Sequence, residues 1–271
     1  MHGVFPPQRY FAYKTWQEIA DFPDKSNTVI VQPLGAIEQH GWHLPLAVDA
    51  LICIEVVGRS LAQLEPEIPA LVLPPLYYGK SNEHLSFAGT ISLSTGLMLK
   101  LLEEIGANIY RSGFRKLALV NAHGGQPQIL ELVARDLHAK YPDFWVFPLF
   151  IWRAPNACSE LLSPRELADG IHAGAGETSV LLEIESKLGW GLVHMDKAVC
   201  AYPPELVGSM LSLEGAHPYS WVTQDISASG VIGDATIANR EMGKQIMDTL
   251  VAGWVQLWRD IYHFRRPCPR S

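Results

Sequence analysis

The chain has 271 residues, 48% of them hydrophobic, which is enough to bury a substantial core in one large domain or two small ones. Its formal net charge of -7 at pH 7 argues against a general affinity for nucleic acid, because phosphate binding requires clustered lysine and arginine. The one basic cluster, Arg265, Arg266 and Arg270, is interpreted as a solvated chain end.

The location of the protein is inferred from its cysteines and its apolar runs. Cys53, Cys158, Cys200 and Cys268 show no C-x-x-C spacing, so neither a disulfide framework nor a cysteine zinc site is indicated. No run approaches the roughly 18 apolar residues that span a membrane, and residues 1–10 lack the apolar core of a signal peptide. We therefore expect a cytoplasmic protein with no membrane partner.

Short β-branched segments alternate along the chain with longer segments of helical period, a pattern typical of a parallel sheet covered by helices on both faces. The predicted strands are residues 28–32, 70–73, 116–121 and 145–150. Helices are predicted from a Thr95 cap, over residues 128–141, from about Glu177, and over residues 235–262. The proline-rich loops do not form an obvious linker, so we expect one domain over residues 1–271.

The first chemically informative segment follows the predicted strand 28–32 and holds four possible metal ligands within residues 38–49. Glu38 and His40 are two residues apart, so in an extended chain both side chains project to the same side and can grip one ion or two adjacent ions. Asp49 would return to them after a turn at Pro45. Alternatively Asp49 only caps a helix, and His43 stays open between a supporting residue, a substrate contact and a surface side chain.

The second segment places His123 after an apolar strand and before a helix. Open parallel sheets collect their ligands at this position, and Gly124 and Gly125 would let the backbone approach a ligand closely. The alternative is an ordinary strand-to-helix turn in which the two glycines relieve backbone strain.

The third segment, residues 172–179, leads through small residues into an apolar helix. Glu177 can simply favour the positive N-terminus of that helix, and His172 can be a structural histidine, so neither is persuasive alone. Combined, the segments offer a mixed nitrogen and oxygen donor set suited to Zn²⁺, Mn²⁺ or Fe²⁺. The candidate ligands are Glu38, His40, Asp49, His123 and Glu177, enough for two ions if one ligand bridges.

The order of these motifs resembles the creatininase, or creatinine amidohydrolase, family. The resemblance rests on E-Q-H-G…H-L-P-L…D at 38–49, S-N-E-H…F-x-G-T-I-S-L at 81–93, N-x-H-G-G at 121–125, H-A-G…E-T-S at 172–179 and, less tightly, G-V-I-G-D at 230–234. It implies a three-layer α/β/α fold with a mostly parallel sheet, commonly assembled as a homohexamer. It also implies a two-metal site that hydrolyses cyclic or linear amide C–N bonds.

Residue roles follow from the same resemblance. Glu38, His40, Asp49 and His123 match the family's metal ligands, with Asp49 the expected bridge. His172 matches a histidine assigned to proton transfer. Glu177 matches the glutamate of the E-T-S stretch and is taken as a fifth ligand and a catalytic candidate. The candidates for contact with the substrate are Ser81, Glu83, His84 and Trp152, the last of which matches an active-site tryptophan.

Departures from the family pattern concern the substrate. Creatininase itself carries a tyrosine and a metal-binding glutamate after the strand-end histidine, where this chain has Gly124 and Gly125. A tryptophan of the creatininase lid is replaced by Ala168. These differences argue against creatinine turnover and make formamide hydrolysis in a pyrimidine precursor, or peptide cleavage, comparable alternatives.

The mechanistic hypothesis is that two divalent ions lower the pKa of a water from about 15.7 toward about 7, which supplies a nucleophile at neutral pH. His172 would pass a proton to the leaving nitrogen of a small-molecule amide. Two other classes stay open. A two-metal phosphoesterase is disfavoured because no lysine or arginine group is evident near the ligands. A non-catalytic metal-binding protein is disfavoured because His172 accompanies a full ligand set.

Overall fold

The computed structural model of the chain describes residues 4–204 and 209–266. Cys268 and Arg270, which entered the expectations above, lie outside the described residues. Within the described part, no helix combines the length and the apolar character that crossing a bilayer would need.

A parallel sheet of four strands forms the centre, with β1 (Val29–Leu34), β2 (Ala70–Val72), β3 (Lys116–Asn121) and β4 (Trp145–Phe150) in the order β2-β1-β3-β4. All four predicted strands are confirmed. The predicted end of β1 at residue 32 is wrong, because its pairing with β3 continues to Leu34 opposite Asn121. A short antiparallel pair was not predicted: β5 (Cys200–Ala201) and β6 (Gly233–Asp234).

The α-helices of the described residues range from a single turn to 24 residues. They are α1 (Trp16–Ala20), α2 (Val48–Gln63), α3 (Thr95–Arg111), α4 (Pro127–Lys140), α5 (Cys158–Leu161), α6 (Pro164–Asp169), α7 (Ala175–Leu188), α8 (Thr223–Ile226) and α9 (Arg240–His263).

Two predicted helix starts are corrected. The cap of α3 is Ser94, whose hydroxyl accepts from the Leu97 amide, and Thr95 is the first helical residue. The last helix begins at Arg240 and not at residue 235, because residues 235–237 form a separate 3-10 turn and the Asn239 side chain caps α9.

Alternation of side chains along β1 divides the interior into two cores. Val29 and Val31 pack into one core with α2, α7 and α9, whereas Ile30 and Leu34 pack into the other with α3 and α4. Both faces of the sheet are therefore covered, and the predicted three-layer α/β/α architecture is confirmed.

The contact between α7 and α9 depends on a glycine. A Cβ built on Gly243 of α9 would collide with the carbonyl oxygen of Ser179 in α7. We expect Gly243→Ala to lower the free energy of unfolding by about 1–3 kcal/mol, because the helices must separate to admit the methyl group. Urea unfolding measures this.

The matched control is Gly96→Ala in the first turn of α3, where an added Cβ meets no atom of residues 4–204 or 209–266 within 4 Å. Helix propensity favours alanine there by up to about 1 kcal/mol. Equal effects at both positions would contradict the role given to the α7–α9 contact.

Candidate metal centre

The carboxyl ends of β1 and β3 bring the first two motifs together. These strands are neighbours that end in register at Leu34 and Asn121, so the segment with Glu38 emerges beside the turn with His123. Gly35 lets α2 pass directly against the exit of β1, since a Cβ there would lie 2.6 Å from the Ala50 Cα. The first turn of α2 thereby delivers a side chain to the same place.

That side chain is Asp49, which lies between two histidines. Its Oδ1 is 3.7 Å from His40 Nε2, and its Oδ2 is 3.6 Å from His123 Nδ1. Glu38 Oε2 is 3.1 Å from the same His123 nitrogen, and Glu38 Oε1 is 3.9 Å from His40 Nε2. The four side chains, 0–3% exposed, therefore converge as the motifs predicted.

Asp49 is not a helix cap. Ala47 occupies the N-cap position of α2, no side chain accepts a capping hydrogen bond there, and Asp49 is the second helical residue. Its carboxylate turns into the cluster instead, so the reading of this residue as a mere cap is wrong.

Glu177 reaches the cluster from the first turn of α7. A ligand atom of Glu177 lies within 4.8 Å of ligand atoms of His40 and Asp49. Its Oε2 also accepts a hydrogen bond of 2.6 Å from the Ala173 amide, in the N-terminal turn that precedes α7. The carboxylate of Glu177 therefore accepts a hydrogen bond from the backbone just before α7 and also faces the candidate metal centre.

The hydrogen bonds of Gln39 determine which ring nitrogen carries the proton in the buried imidazoles of His84 and His172. Its Oε1 accepts from the Gly41 amide at 2.8 Å, so the NH₂ group donates in the other direction, to the Gly230 carbonyl oxygen at 3.1 Å and to His84 Nδ1 at 2.8 Å. Because Nδ1 accepts, the proton of neutral His84 is on Nε2, which points toward Glu38 Oε1 at 3.4 Å.

His172 has the opposite tautomer. The backbone carbonyl oxygen of Gln39 can only accept, so its contact of 2.7 Å with His172 Nε2 is an N–H donation by the imidazole. The side-chain nitrogen of Gln39, 3.0 Å from the same His172 nitrogen, therefore donates to its other two partners. His172 Nδ1 is then a free acceptor, 3.8 Å from Glu38 Oε1. Burial lowers the pKa of His172 well below its usual value and the pKa of His84 to about 4, which keeps both rings neutral.

The carboxylates depend on positive charge in the cluster. Burial opposes ionisation of Glu38, yet His123 and its neighbours outweigh burial and hold the Glu38 pKa well below its usual range. Burial would lower the pKa of His40, but contacts with Asp49 raise it to about 9. Burial and the charge of Glu38 raise the pKa of Asp49, and burial raises the pKa of Glu177 to about 7. The raised pKa values of Asp49 and Glu177 indicate that the cluster holds too few positive charges to balance all of its carboxylates.

The donor set fits a divalent cation. Among the described residues, four buried atoms at this place have no hydrogen-bond partner: Glu38 Oε1, His40 Nε2, Asp49 Oδ2 and Glu83 Oε1. Leaving such atoms unpaired in a protein interior is costly, and one or two cations would pair them. Imidazole nitrogen mixed with carboxylate oxygen suits zinc, manganese and iron.

The four substrate candidates are placed differently. Ser81 donates a 2.5 Å hydrogen bond from its hydroxyl to Glu38 Oε2, and Glu83 Oε1 is 3.0 Å from His123 Nε2. His84 faces Glu38, as described above. Trp152 lies in the 3-10 turn that follows β4, and its partly buried indole packs on the core beneath α2, α7 and α9.

The chain is similar in sequence to proteins of known family. A family model for creatininase, described as creatinine amidohydrolase, matches residues 12–258. The chain belongs to the creatininase family. It is 32% identical over 227 residues to the mycofactocin precursor peptide peptidase of Mycolicibacterium smegmatis, which is 83% of this chain and 82% of that protein. It is 30% identical to the creatinine amidohydrolase of Pseudomonas putida, over 88% of this chain and 92% of that protein.

Solved creatininase structures share the fold. The structure described as "Creatininase Mn" has a TM-score of 0.76 and 27% identity, covering 94% of this chain and 99% of that chain. A creatininase variant of "Zn-Zn type" has a TM-score of 0.75 and 27% identity, covering 94% and 98%. The predicted family and fold class are confirmed, and the chain is a hydrolase of the creatininase family.

The role of Gln39, the second residue of the E-Q-H-G motif, was not predicted from the sequence. Its side-chain contacts His84, His172 and Gly230 are 45, 133 and 191 residues away in the chain, so local spacing carries no signal of its role. Thr223 was missed entirely, although its hydroxyl lies 2.7 Å from His84 Nδ1. His43, left open above, is buried and pairs through Nε2 with the Thr178 hydroxyl at 2.9 Å, which supports the neighbour of Glu177.

Proposed function

We propose that this member of the creatininase family uses two divalent metal ions, zinc or manganese with iron as a further possibility, to hydrolyse an amide C–N bond of a small molecule. The observation that supports this proposal most strongly is that buried atoms of Glu38, His40 and Asp49, each able to bind a metal ion, have no hydrogen-bond partner among the described residues. A purely structural polar network would have satisfied these atoms with hydrogen bonds.

The ligands divide into two groups that share a member. Glu38 and His123 would hold one ion, and His40 and Glu177 would hold the other. Asp49 would contribute to both because its two oxygens are nearly equidistant from His40 and His123, whereas Glu38 lies closer to His123. When bound, the ions supply an acidified water and polarise the carbonyl group of the substrate.

The remaining side chains handle protons and hydrogen bonds. His172 presents an unprotonated Nδ1 and can accept a proton and pass it to the leaving nitrogen. His84 presents an Nε2–H that can donate to an oxygen of the substrate. Ser81 holds Glu38 by its hydroxyl, and with Glu83 and Trp152 it is proposed to border the bound substrate.

A peptide is the second candidate substrate, and one observation favours it. Among the described residues, a Cβ built on Gly124 meets only Glu214 Oε1, at 3.8 Å, so there is space where the family resemblance implies a tyrosine in creatininase. Space beside the centre admits a longer substrate than creatinine. A relative at 32% identity is described as a peptide peptidase. Formamide hydrolysis in a pyrimidine precursor remains a third candidate on the same scaffold.

We also propose that residues 1–271 form one domain that assembles as a cytoplasmic homohexamer, without nucleic acid or membrane. Three of the cysteines, Cys53, Cys158 and Cys200, are free thiols, in keeping with a reducing compartment. Light scattering after gel filtration measures the assembly, and a monomer at micromolar concentration would contradict it.

Metal analysis tests the proposed function directly. Purified protein loaded with zinc or manganese is expected to hold about two ions per chain by elemental analysis. It should also turn over at least one substrate from a panel of creatinine, formamidopyrimidines, lactams and short peptides. Chelation should abolish the activity and re-addition of metal should restore it.

The controls separate the alternative classes. Full amidase activity in metal-free protein would contradict the proposal. Turnover of phosphate esters but not of amides would favour a phosphoesterase, and binding of an amide in calorimetry without turnover would favour a non-catalytic protein.

A further inference from the structure

Glu83 was expected only to orient substrate, but its surroundings suggest another role. It lies in the 3-10 turn after β2, at residues 82–84, and its side chain is 12% exposed. Because β2 and β3 flank β1, loops that leave these two strands meet over the end of β1. Glu83 thereby reaches His123, with Oε1 3.0 Å from His123 Nε2.

A hydrogen bond to His123 does not account for this approach. The Nε2–H of His123 donates to the Lys80 carbonyl oxygen at 2.9 Å, and Glu83 Oε1 has no hydrogen-bond partner among the described residues. The other oxygen is satisfied, since Lys80 Nζ donates to Glu83 Oε2 at 3.0 Å. One oxygen of a largely buried carboxylate therefore lacks a donor among the described residues, which is costly unless a cation pairs with it.

Gly125 explains why there is room for this carboxylate. A Cβ built on Gly125 would collide with Glu83 Oε1 and would lie 2.5 Å from His123 Nε2. The family resemblance implies a metal-binding glutamate at this position, where the present chain has Gly125. A side chain at position 125 and the carboxylate of Glu83 would therefore occupy the same space.

We propose that Glu83 is a metal ligand that replaces the glutamate missing at Gly125. It joins Glu38 and His123, whose ligand atoms lie within 4.8 Å of a ligand atom of Glu83. The inference rests on the proposed function, because it assumes that ions bind at Glu38, Asp49 and His123. It adds that one ion has three carboxylates around it, one of them carried by a loop on the far side of β1.

Metal affinity tests the proposal without any substrate. Glu83→Gln keeps the shape of the side chain and removes its charge, and Glu83→Ala removes the group. Titration of the metal-free proteins with zinc, followed by calorimetry, is expected to show one of two sites weakened by about 10- to 100-fold in both variants. Glu67→Gln, on an exposed glutamate, is the matched control and should bind like the wild type.

A second pair of variants examines the competition for space. Gly125→Ala should displace the Glu83 carboxylate and weaken the same site, whereas Glu83→Gly combined with Gly125→Glu should restore it by returning the carboxylate to the turn. Circular dichroism and thermal melting establish that each variant is folded.

Unchanged binding of two ions by both folded Glu83 variants would overturn the inference and leave the proposed function intact. Failure of the wild type to bind zinc would overturn the proposed function and this inference with it. The two failures are therefore distinguishable in one titration.

Discussion

Asp49→Asn is expected to abolish the binding of both ions. The rate of amide hydrolysis should fall with it, by on the order of 10³-fold or more. The reason is that the two oxygens of Asp49 lie at nearly equal distances from His40 and His123, 3.7 and 3.6 Å. Glu38 also faces both histidines but lies closer to His123, at 3.1 Å, than to His40, at 3.9 Å. Asparagine has the same shape, but its neutral amide cannot balance the charge of a cation on either side. Elemental analysis of the purified variant measures the loss.

Thermal melting distinguishes loss of metal from loss of fold. Bound ligand at 1,000 times its dissociation constant stabilises a protein by about 4 kcal/mol, so chelation should lower the melting temperature of the wild type clearly. The Asp49→Asn variant should melt at one temperature with and without chelator. It should also be no less stable than metal-free wild type, because burial and the charge of Glu38 already raise the pKa of Asp49 in the fold.

Asp136→Asn on the exposed face of α4 is the matched control and should retain metal, activity and the response to chelator. An Asp49→Asn protein that still carries two ions would contradict the shared position given to Asp49.

The backbone of the fold was predictable because its elements are encoded locally. β1 and β3 are mostly apolar and buried along their whole length, and the helices α3 and α4 carry apolar faces at helical spacing, so the pattern of apolar residues locates them. The exact starts of α3 and α9 were not predictable from period, because Ser94 and Asn239 decide them through single capping hydrogen bonds.

The candidate metal centre was predictable to the extent that its residues follow strand ends. Glu38 and His123 stand after neighbouring strands, and the strand order makes them meet. The partnership of Glu83 with the space at Gly125 was not predictable in this way. Glu83 and Gly125 lie in two loops, 42 residues apart in the chain. Their contact is possible only because Gly125 has no side chain, and a sequence motif gives no sign of that.

The protonation pattern around Gln39 also had to come from the structure. Sequence gave no reason to distinguish the two imidazoles of His84 and His172, which stack with ring centres 4.2 Å apart. The contacts of Gln39 assign the protons: its side-chain N–H donates to His84 Nδ1, and its backbone carbonyl oxygen accepts from His172 Nε2. His84 therefore presents a protonated nitrogen to the centre and His172 an unprotonated one.

His172→Gln is expected to lower kcat for the amide substrate by about 10²- to 10⁴-fold while both ions stay bound. Glutamine can still donate an N–H to the Gln39 carbonyl oxygen, which His172 Nε2 contacts at 2.7 Å, so the position of the chain is preserved. It has no nitrogen that can take up a proton near neutral pH, so proton transfer to the leaving group is lost. Steady-state kinetics together with elemental analysis measures both quantities.

The metal count decides between two roles for His172. Its ligand atom lies within 4.8 Å of ligand atoms on Glu38 and His40, close enough for a metal ligand as well as for a proton carrier. A proton carrier predicts two ions in the variant and a loss confined to kcat, whereas a ligand predicts one ion and a weakened site. His138→Gln, on α4 where the ring pairs with the Phe144 carbonyl oxygen, is the control and should change neither. Retention of full activity by the His172 variant would remove this residue from the mechanism.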